Sequence, residues 1–172
     1  WARDFTVNAL FYDPVRHEVI DHTGGLDDLA ARVLRSVGDP QVWFYEDPVR
    51  ILRAAKFAGR LDFSLPALER QAMADRAAML EVCPPSRVTE EIFRILESGT
   101  AARSFGILHE TGVLPVLVPE LCGHNANGDA DLRGLLAVDR MVQAHGGLPR
   151  DFLFVACFHA AAWAHVHANP PP

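Results

Sequence analysis

Asp47, Arg50 and Arg53 are the residues whose types and spacing best suit chemistry. A carboxylate beside two guanidiniums offers acceptors and forked donors together, a set that can read the hydrogen-bonding edge of a base as well as hold charge. The element that would position them is a helix over Glu46-Asp47-Pro48-Val49-Arg50-Ile51-Leu52-Arg53-Ala54-Ala55-Lys56-Phe57-Ala58-Gly59-Arg60-Leu61. Asp47 suits the N-cap, and Pro48 suits the first helical position, where its missing N–H costs nothing. One-turn spacing puts Asp47, Arg50 and Arg53 on one face, with Val49, Leu52 and Ala55 or Ala58 as a buried stripe opposite. Taken alone, the same segment also fits a helix with a merely solvated basic face.

Other residues weigh less. Asp129-Ala130-Asp131 has the spacing of a metal-holding pair but sits in a Gly/Asn loop after no strand, which reads as a solvated loop and cap. Asp27-Asp28 falls where a helix start favours acids. His159, His165 and His167 share a late apolar segment without carboxylates, which suits a helix end with partly exposed histidines better than a metal site. Trp43-Phe44-Tyr45 could stack a base, although core packing at a domain junction is the expectation. Cys83, Cys122 and Cys157 are widely spaced with no CxxC pair, as in reduced thiols of a cytoplasmic protein.

The chain has 172 residues, 49% hydrophobic and 22% charged, enough for a core and for one domain plus part of another. A net charge of -6 is the wrong sign for general nucleic-acid binding, so any such activity needs a local basic patch. No apolar run reaches membrane-spanning length, and no signal peptide is evident. The start at Trp1 and the terminal Pro170-Pro171-Pro172 read as a fragment.

The fold class is mostly α with a small α/β N-terminal portion. Asp4 is placed to cap a short helical turn. Phe11-Tyr12 and Val19-Ile20-Asp21 flank Asp13-Pro14 as a hairpin. Gly24-Gly25 is a flexible break before a short helix over 26–31, and 32–37 alternates like one more strand, stopped by Gly38-Asp39-Pro40. Beyond this, helices are expected over 66–82 (through Leu68, Met73, Ala77 and Leu80), 87–97 capped by Ser86 after a Pro84-Pro85 break, 101–111, 132–144 and 151–167. Gly99 and Gly112 are stops, Pro115 and Pro119 bracket a turn, and 125–131 is loop. The expected divisions are 1–38, 39–121 and 122–172.

Four stretches occur in one order: Arg3-Asp4-Phe5-Thr6-Val7-Asn8-Ala9-Leu10, Asp21-His22-Thr23-Gly24-Gly25-Leu26-Asp27-Asp28-Leu29, Glu46-Asp47-Pro48-Val49-Arg50-Ile51-Leu52-Arg53 and Pro85-Ser86-Arg87-Val88-Thr89-Glu90-Glu91. Together they resemble the class II tRNA nucleotidyltransferase/poly(A) polymerase family, with bacterial poly(A) polymerases the nearer group. Residues 101–121 continue the likeness less sharply. Ala2, Trp43 and Lys56 depart from it, each standing where the family commonly has Arg, which thins the positive charge.

The resemblance implies the end of a nucleotidyltransferase head (1–38), a helical neck that binds nucleotide base and RNA (39–121), and the start of a helical body (122–172). It implies ribose and phosphate contacts from Arg3 and Asp4 with Asn8 in the same motif, base recognition by Asp47, Arg50 and Arg53, and a hinge at Gly24 and Gly25. Arg87 and Glu90 are implied as support for the base-reading helix. The implied activity is template-independent addition of AMP from ATP to RNA 3′ ends, of mRNA or tRNA, in the cytoplasm. The family uses Mg2+ held by an Asp-x-Asp pair that this chain does not show, so the isolated chain is expected to be inactive. CCA addition to tRNA is the alternative within the family, and a non-catalytic helical RNA-binding module is the alternative outside it. Half of an α/β unit standing alone would leave a sheet edge and apolar surface unpaired.

Overall fold

The computed structural model describes residues 3–122 and 132–156. The sequence expectations for Asp129, Asp131, Cys157, His159, His165 and His167 lie outside the described residues.

The N-terminal portion is small and held by polar side chains. Residues Thr6–Asn8 form a turn of 3-10 helix. The Asn8 carboxamide oxygen caps it by accepting the N–H of Phe5 at 3.2 Å, so Asp4 is not the cap. Strands β1 (Phe11–Asp13) and β2 (Glu18–Ile20) pair antiparallel with Phe11 opposite Ile20, the expected hairpin. Both strands are exposed, and Phe11, Tyr12, Val15, Val19 and Ile20 stand in solvent.

Helix α1 (Gly25–Ala31) follows a turn organised by Asp21. Its carboxylate accepts the N–H groups of Thr23 (2.9 Å), Gly25 (3.1 Å) and Leu26 (2.9 Å). These backbone donors, Leu26 first, hold the carboxyl at about 2, below the usual carboxylate range. Gly24 has a φ of +76°, and a Cβ on Gly25 would lie 2.2 Å from the Thr6 carbonyl oxygen, so both positions require glycine.

Arg32 adopts a left-handed conformation (φ +55°) that ends α1, and residues 33–36 after it do not form a strand of a sheet. Their bonds are isolated bridges: Thr6 donates to the Arg35 carbonyl on one side (2.9 Å), and Leu34 to the Ser64 carbonyl on the other (2.9 Å). The strand expected over 32–37 is therefore corrected: the segment starts in a left-handed turn and, among the described residues, has single-residue partners and no continuous one.

The rest is helical: α2 (Pro40–Glu46), α3 (Arg50–Leu61), α4 (Ala67–Arg76), α5 (Pro85–Leu96), α6 (Ala101–Glu110), α7 (Leu114–Leu117) and α8 (Arg133–His145), with residues 150–156 helical as well. Helix α2 is absent from the sequence reading, which took Asp39-Pro40 as a stop. Asp39 in fact caps it, accepting the Gln41 N–H at 2.9 Å, with Pro40 at the first position. Helix α4 ends at Arg76 and continues as 3-10 helix over Ala77–Val82, and Leu68, expected inside, is exposed while Glu69, Ala72 and Met73 are buried. Helix α5 begins at Pro85 without a side-chain cap, so Ser86 is not its cap; the preceding helical stretch ends at Val82, so the Pro84-Pro85 break falls where expected and also opens α5.

Helix α3 is the centre. Ile51, Leu52, Ala54, Ala55 and Ala58 are fully buried, and small side chains there let α6 approach closely. At the closest point, a Cβ on Gly59 would lie 2.3 Å from the Ser104 hydroxyl and 3.1 Å from its backbone nitrogen. Phe44, Met73, Ile95, Phe105, Leu108, Leu114 and Leu135 complete one core. Helix α8 packs on α6 and completes its start: Asp139 accepts the N–H groups of Ala101 (2.6 Å) and Ala102 (2.9 Å). No helix among the described residues is long and apolar enough to cross a membrane.

Candidate functional site

The charged face of α3 is built by what precedes it. Asp47 has an extended conformation, and its backbone carbonyl, not its carboxylate, accepts the Arg50 N–H at 3.0 Å. Pro48 and Val49 form a turn, and the helix proper begins at Arg50, so the expected cap at Asp47 and first position at Pro48 are corrected. The carboxylate is thereby free for another helix. It accepts the Arg87 guanidinium of α5 at 2.8 Å.

Asp47, Arg50 and Arg53 therefore do not converge on one group. Arg50 turns back over α2: its guanidinium lies 3.6 Å from the centre of the Trp43 ring, donates to the Trp43 carbonyl at 3.0 Å and reaches Glu46 at 3.3 Å. Trp43 and Phe44 are buried and Tyr45 is exposed, which fits the core role expected for this aromatic set at the first two positions. Arg53 forms an ion pair with Asp4. Asp4 is buried, and its carbonyl accepts the Val37 N–H at 3.3 Å, which ties it to the segment after α1. Arg3 is exposed, and Asn8 serves the turn beside it.

A cleft of about 400 Å³ opens between α3 and α5, lined by Val49, Arg53, Ser86, Arg87, Glu90 and Glu91. Its size is that of a small-molecule site. Its cations arrive with carboxylates attached: Arg53 with Asp4 and Arg87 with Asp47. The Arg87 guanidinium is raised above its ordinary value by the hydrogen bond and charge of Asp47, so it stays charged. Nearby, burial and then the Asp47 charge push the Cys83 thiol up, leaving it a poor nucleophile. Glu91 is buried between Lys56 of α3 and Arg94 at 3.4 Å. Glu90 takes Arg94 and Arg150 and is held down to about 2, chiefly by the Arg150 hydrogen bond.

Of the sequence-predicted set, Arg53, Arg87 and Glu90 line this cleft, and Asp4 and Asp47 are paired to its arginines. Arg50 stays on Trp43 and the Gly24-Gly25 turn beside Thr6. Sequence reasoning missed Lys56, Glu91 and Arg150, whose partners are distant in sequence; the only local signal was the acidic Glu90-Glu91 pair facing a helix otherwise rich in arginine. Among the described residues no group of three or more His, Cys, Asp or Glu could hold a metal. The cleft carboxylates do not fit magnesium either, because each is already engaged by a cation.

Two family matches cover three of the four motif stretches, and 46–53 lies between them. Residues 1–35 match the poly A polymerase head domain, and residues 61–123 match the family described as "Probable RNA and SrmB- binding site of polymerase A". Poly(A) polymerase I of Haemophilus influenzae is 33% identical over 162 residues, covering 91% of this chain and 36% of that protein. The multifunctional CCA protein of Xanthomonas campestris pv. campestris (strain B100) is 44% identical over 126 residues, 69% of this chain and 30% of that protein. A crystal structure of a tRNA nucleotidyltransferase complexed with a primer tRNA and an incoming ATP analog superposes with a TM-score of 0.68 at 32% identity, covering 84% of this chain and 42% of that one. The chain belongs to the class II tRNA nucleotidyltransferase/poly(A) polymerase family, a family of nucleotidyltransferases. It spans about a third of the length of the curated relatives it matches.

Proposed function

We propose that this chain supplies the nucleotide-recognition and RNA-binding parts of a template-independent nucleotidyltransferase that adds AMP from ATP to RNA 3′ ends in the cytoplasm. The observation that carries this reading is the α3–α5 cleft, where Arg53–Asp4 and Arg87–Asp47 stand as two guanidinium–carboxylate pairs around one nucleotide-sized space. In the proposal, residues 1–38 are the end of the head, 39–121 the neck, and 122–172 the start of the body. Gly24 and Gly25 are the hinge between head and neck. Arg3, Asp4 and Asn8 serve the ribose and phosphates, Asp47, Arg50 and Arg53 the base, and Arg87 and Glu90 support them.

The chemistry of such pairs explains which bases suit them. A carboxylate oxygen accepts, and an adjacent guanidinium donates. Adenine and cytosine each present an amino donor next to a ring-nitrogen acceptor, the complement of that pair. Guanine and uracil present a carbonyl beside a ring N–H, which mismatches both. The Mg2+ chemistry of nucleotidyl transfer belongs to carboxylates other than those described, and without them the isolated chain is expected to be inactive.

Because adenine and cytosine share the pattern, CCA addition to tRNA is the second reading, favoured by the 44% identity to the Xanthomonas CCA protein. The test is primer extension by this chain joined behind the catalytic head of a relative, with ATP or CTP supplied separately. Long ATP-only products on oligo(A) support poly(A) addition. Two C residues and one A added to tRNA lacking its CCA end support the second reading, and incorporation of neither nucleotide overturns both.

A further inference from the structure

We infer that Arg150 is a positioning residue of the cleft: it neutralises Glu90 on the cleft wall and so sets the charge that an incoming triphosphate meets. The inference rests on the reading of the cleft as a nucleotide site. Arg150 begins the helical segment 150–156, sixty residues beyond its partner, and touches no other cleft-lining residue through a hydrogen bond. All three guanidinium nitrogens are engaged. Nη1 and Nη2 fork onto the two Glu90 oxygens at 2.7 and 3.1 Å, and Nε donates to Glu97 at 2.7 Å. The group lies 5.3 Å from the centre of the Phe93 ring, and Phe93 in turn packs against Phe154 at 6.4 Å between centroids, which fixes the segment carrying Arg150 on α5.

The cleft is lined by two cations and two carboxylates. Arg53 and Arg87 already have partners in Asp4 and Asp47, so the wall's net effect on an anion depends on Glu90 and Glu91 being countered. Glu91 has Lys56 and shares Arg94. Glu90 shares that same Arg94, at 3.1 Å, and otherwise has Arg150. With Arg150 present, each carboxylate has a cation of its own. Without it, Glu91 keeps Lys56 and Glu90 keeps Arg94, but Glu97 loses its partner, so the three carboxylates Glu90, Glu91 and Glu97 are left with two cations and this side of the cleft carries one uncompensated negative charge. A unit charge a few ångströms from a polyanion in a water-exposed cleft changes its affinity by about five- to tenfold.

The test measures the affinity of the complete 172-residue chain for ATP and for inorganic triphosphate, each at low and high salt. Arg150→Ala should weaken both ligands by about the same five- to tenfold, because the effect is on charge and not on the base. Arg150→Lys should fall between, and high salt should shrink the loss. The decisive variant is Arg150→Ala with Glu90→Gln: it restores affinity if the uncompensated charge is the cause. If the double variant is as weak as Arg150→Ala, or if Arg150→Ala binds normally while Arg53→Ala does not, the inference is overturned and the nucleotide reading stands. If the unaltered chain binds neither ligand, both fall together.

Discussion

Asp39-Pro40 and Asp47-Pro48 are the same dipeptide at the start of two successive helices, and their carboxylates do different work. At α2 the Asp39 carboxylate accepts a backbone N–H, the ordinary service of an N-cap. At α3 the turn itself supplies the cap: the carbonyls of Asp47, Pro48 and Val49 accept the N–H groups of Arg50, Ile51 and Leu52 at 3.0 to 3.1 Å. The Asp47 carboxylate is left over and is taken by Arg87, forty residues away. Local sequence sets the capacity to cap, whereas the neighbouring helix decides whether the side chain is spent on the backbone or kept for a partner. The difference separates acids that hold backbone, such as Asp21, Asp39 and Asp139, from acids that hold arginines around the cleft, such as Asp4, Asp47 and Glu90.

That division can be broken by substitution. The largest effect is expected at Asp139, which is buried and satisfies two N–H groups of α6. Asp139→Ala should lower stability by roughly 3 kcal/mol in urea melts, since two buried donors lose their acceptor. Asp47→Ala is expected to do the reverse: ATP affinity falls about tenfold, on the scale of one charge-assisted hydrogen bond, while the melt barely moves. Its second carboxylate oxygen is buried without a partner, so the fold gains little from it. Asp39→Ala should cost about 1 kcal/mol of stability and leave ATP affinity unchanged, as for a lost cap. A large ATP effect at Asp39, or a large stability effect at Asp47, would erase the distinction.

The smallest effect is one of pH. The folded Asp21 carboxyl is held at about 2, below its ordinary value of 3.8, by backbone donors led by Leu26. A depressed carboxyl stabilises the fold above its unfolded value and loses that contribution as pH falls toward the folded one. The Gly24-Gly25 turn should therefore open between about pH 4 and pH 2, read as faster amide exchange at Gly25 and Leu26. In Asp21→Asn the same amides should exchange fast already at neutral pH, with no further acid step in that window.

How much was legible in the sequence follows from the range of each interaction. The hairpin, α6 and α8 were read from turn residues and from helical spacing, signals contained within the elements themselves. The motif residues Asp4, Asp47, Arg53, Arg87 and Glu90 were picked out by order and resemblance; three of them line the cleft and the two aspartates pair with its arginines. Helix α2 was missed because Asp39-Pro40 serves equally as a stop and as a start, and because its buried Trp43 and Phe44 are adjacent and show no period. The 32–37 segment alternates as a strand should, yet its partners are single residues on two sides. Arg50 was expected beside Arg53, but an aromatic ring seven residues earlier, on α2, captures its guanidinium. Glu90 with Arg150, and Asp139 with Ala101, leave no local trace at all, since each pair is separated by dozens of residues.

The carboxylate that α8 lends to α6 also has a meaning in time. Ala101 must wait for a residue 38 positions further along the chain. At a synthesis rate of about 5–20 residues per second, that is an interval of about 2–8 s in which the first turn of α6 can be satisfied only by water. Helix α3 is made well before then but packs most closely on α6, at Gly59 against Ser104. The centre of the molecule is thus translated early and closed late, and its nascent chain passes through seconds in which the small-residue face of α3 has no finished helix to cover it.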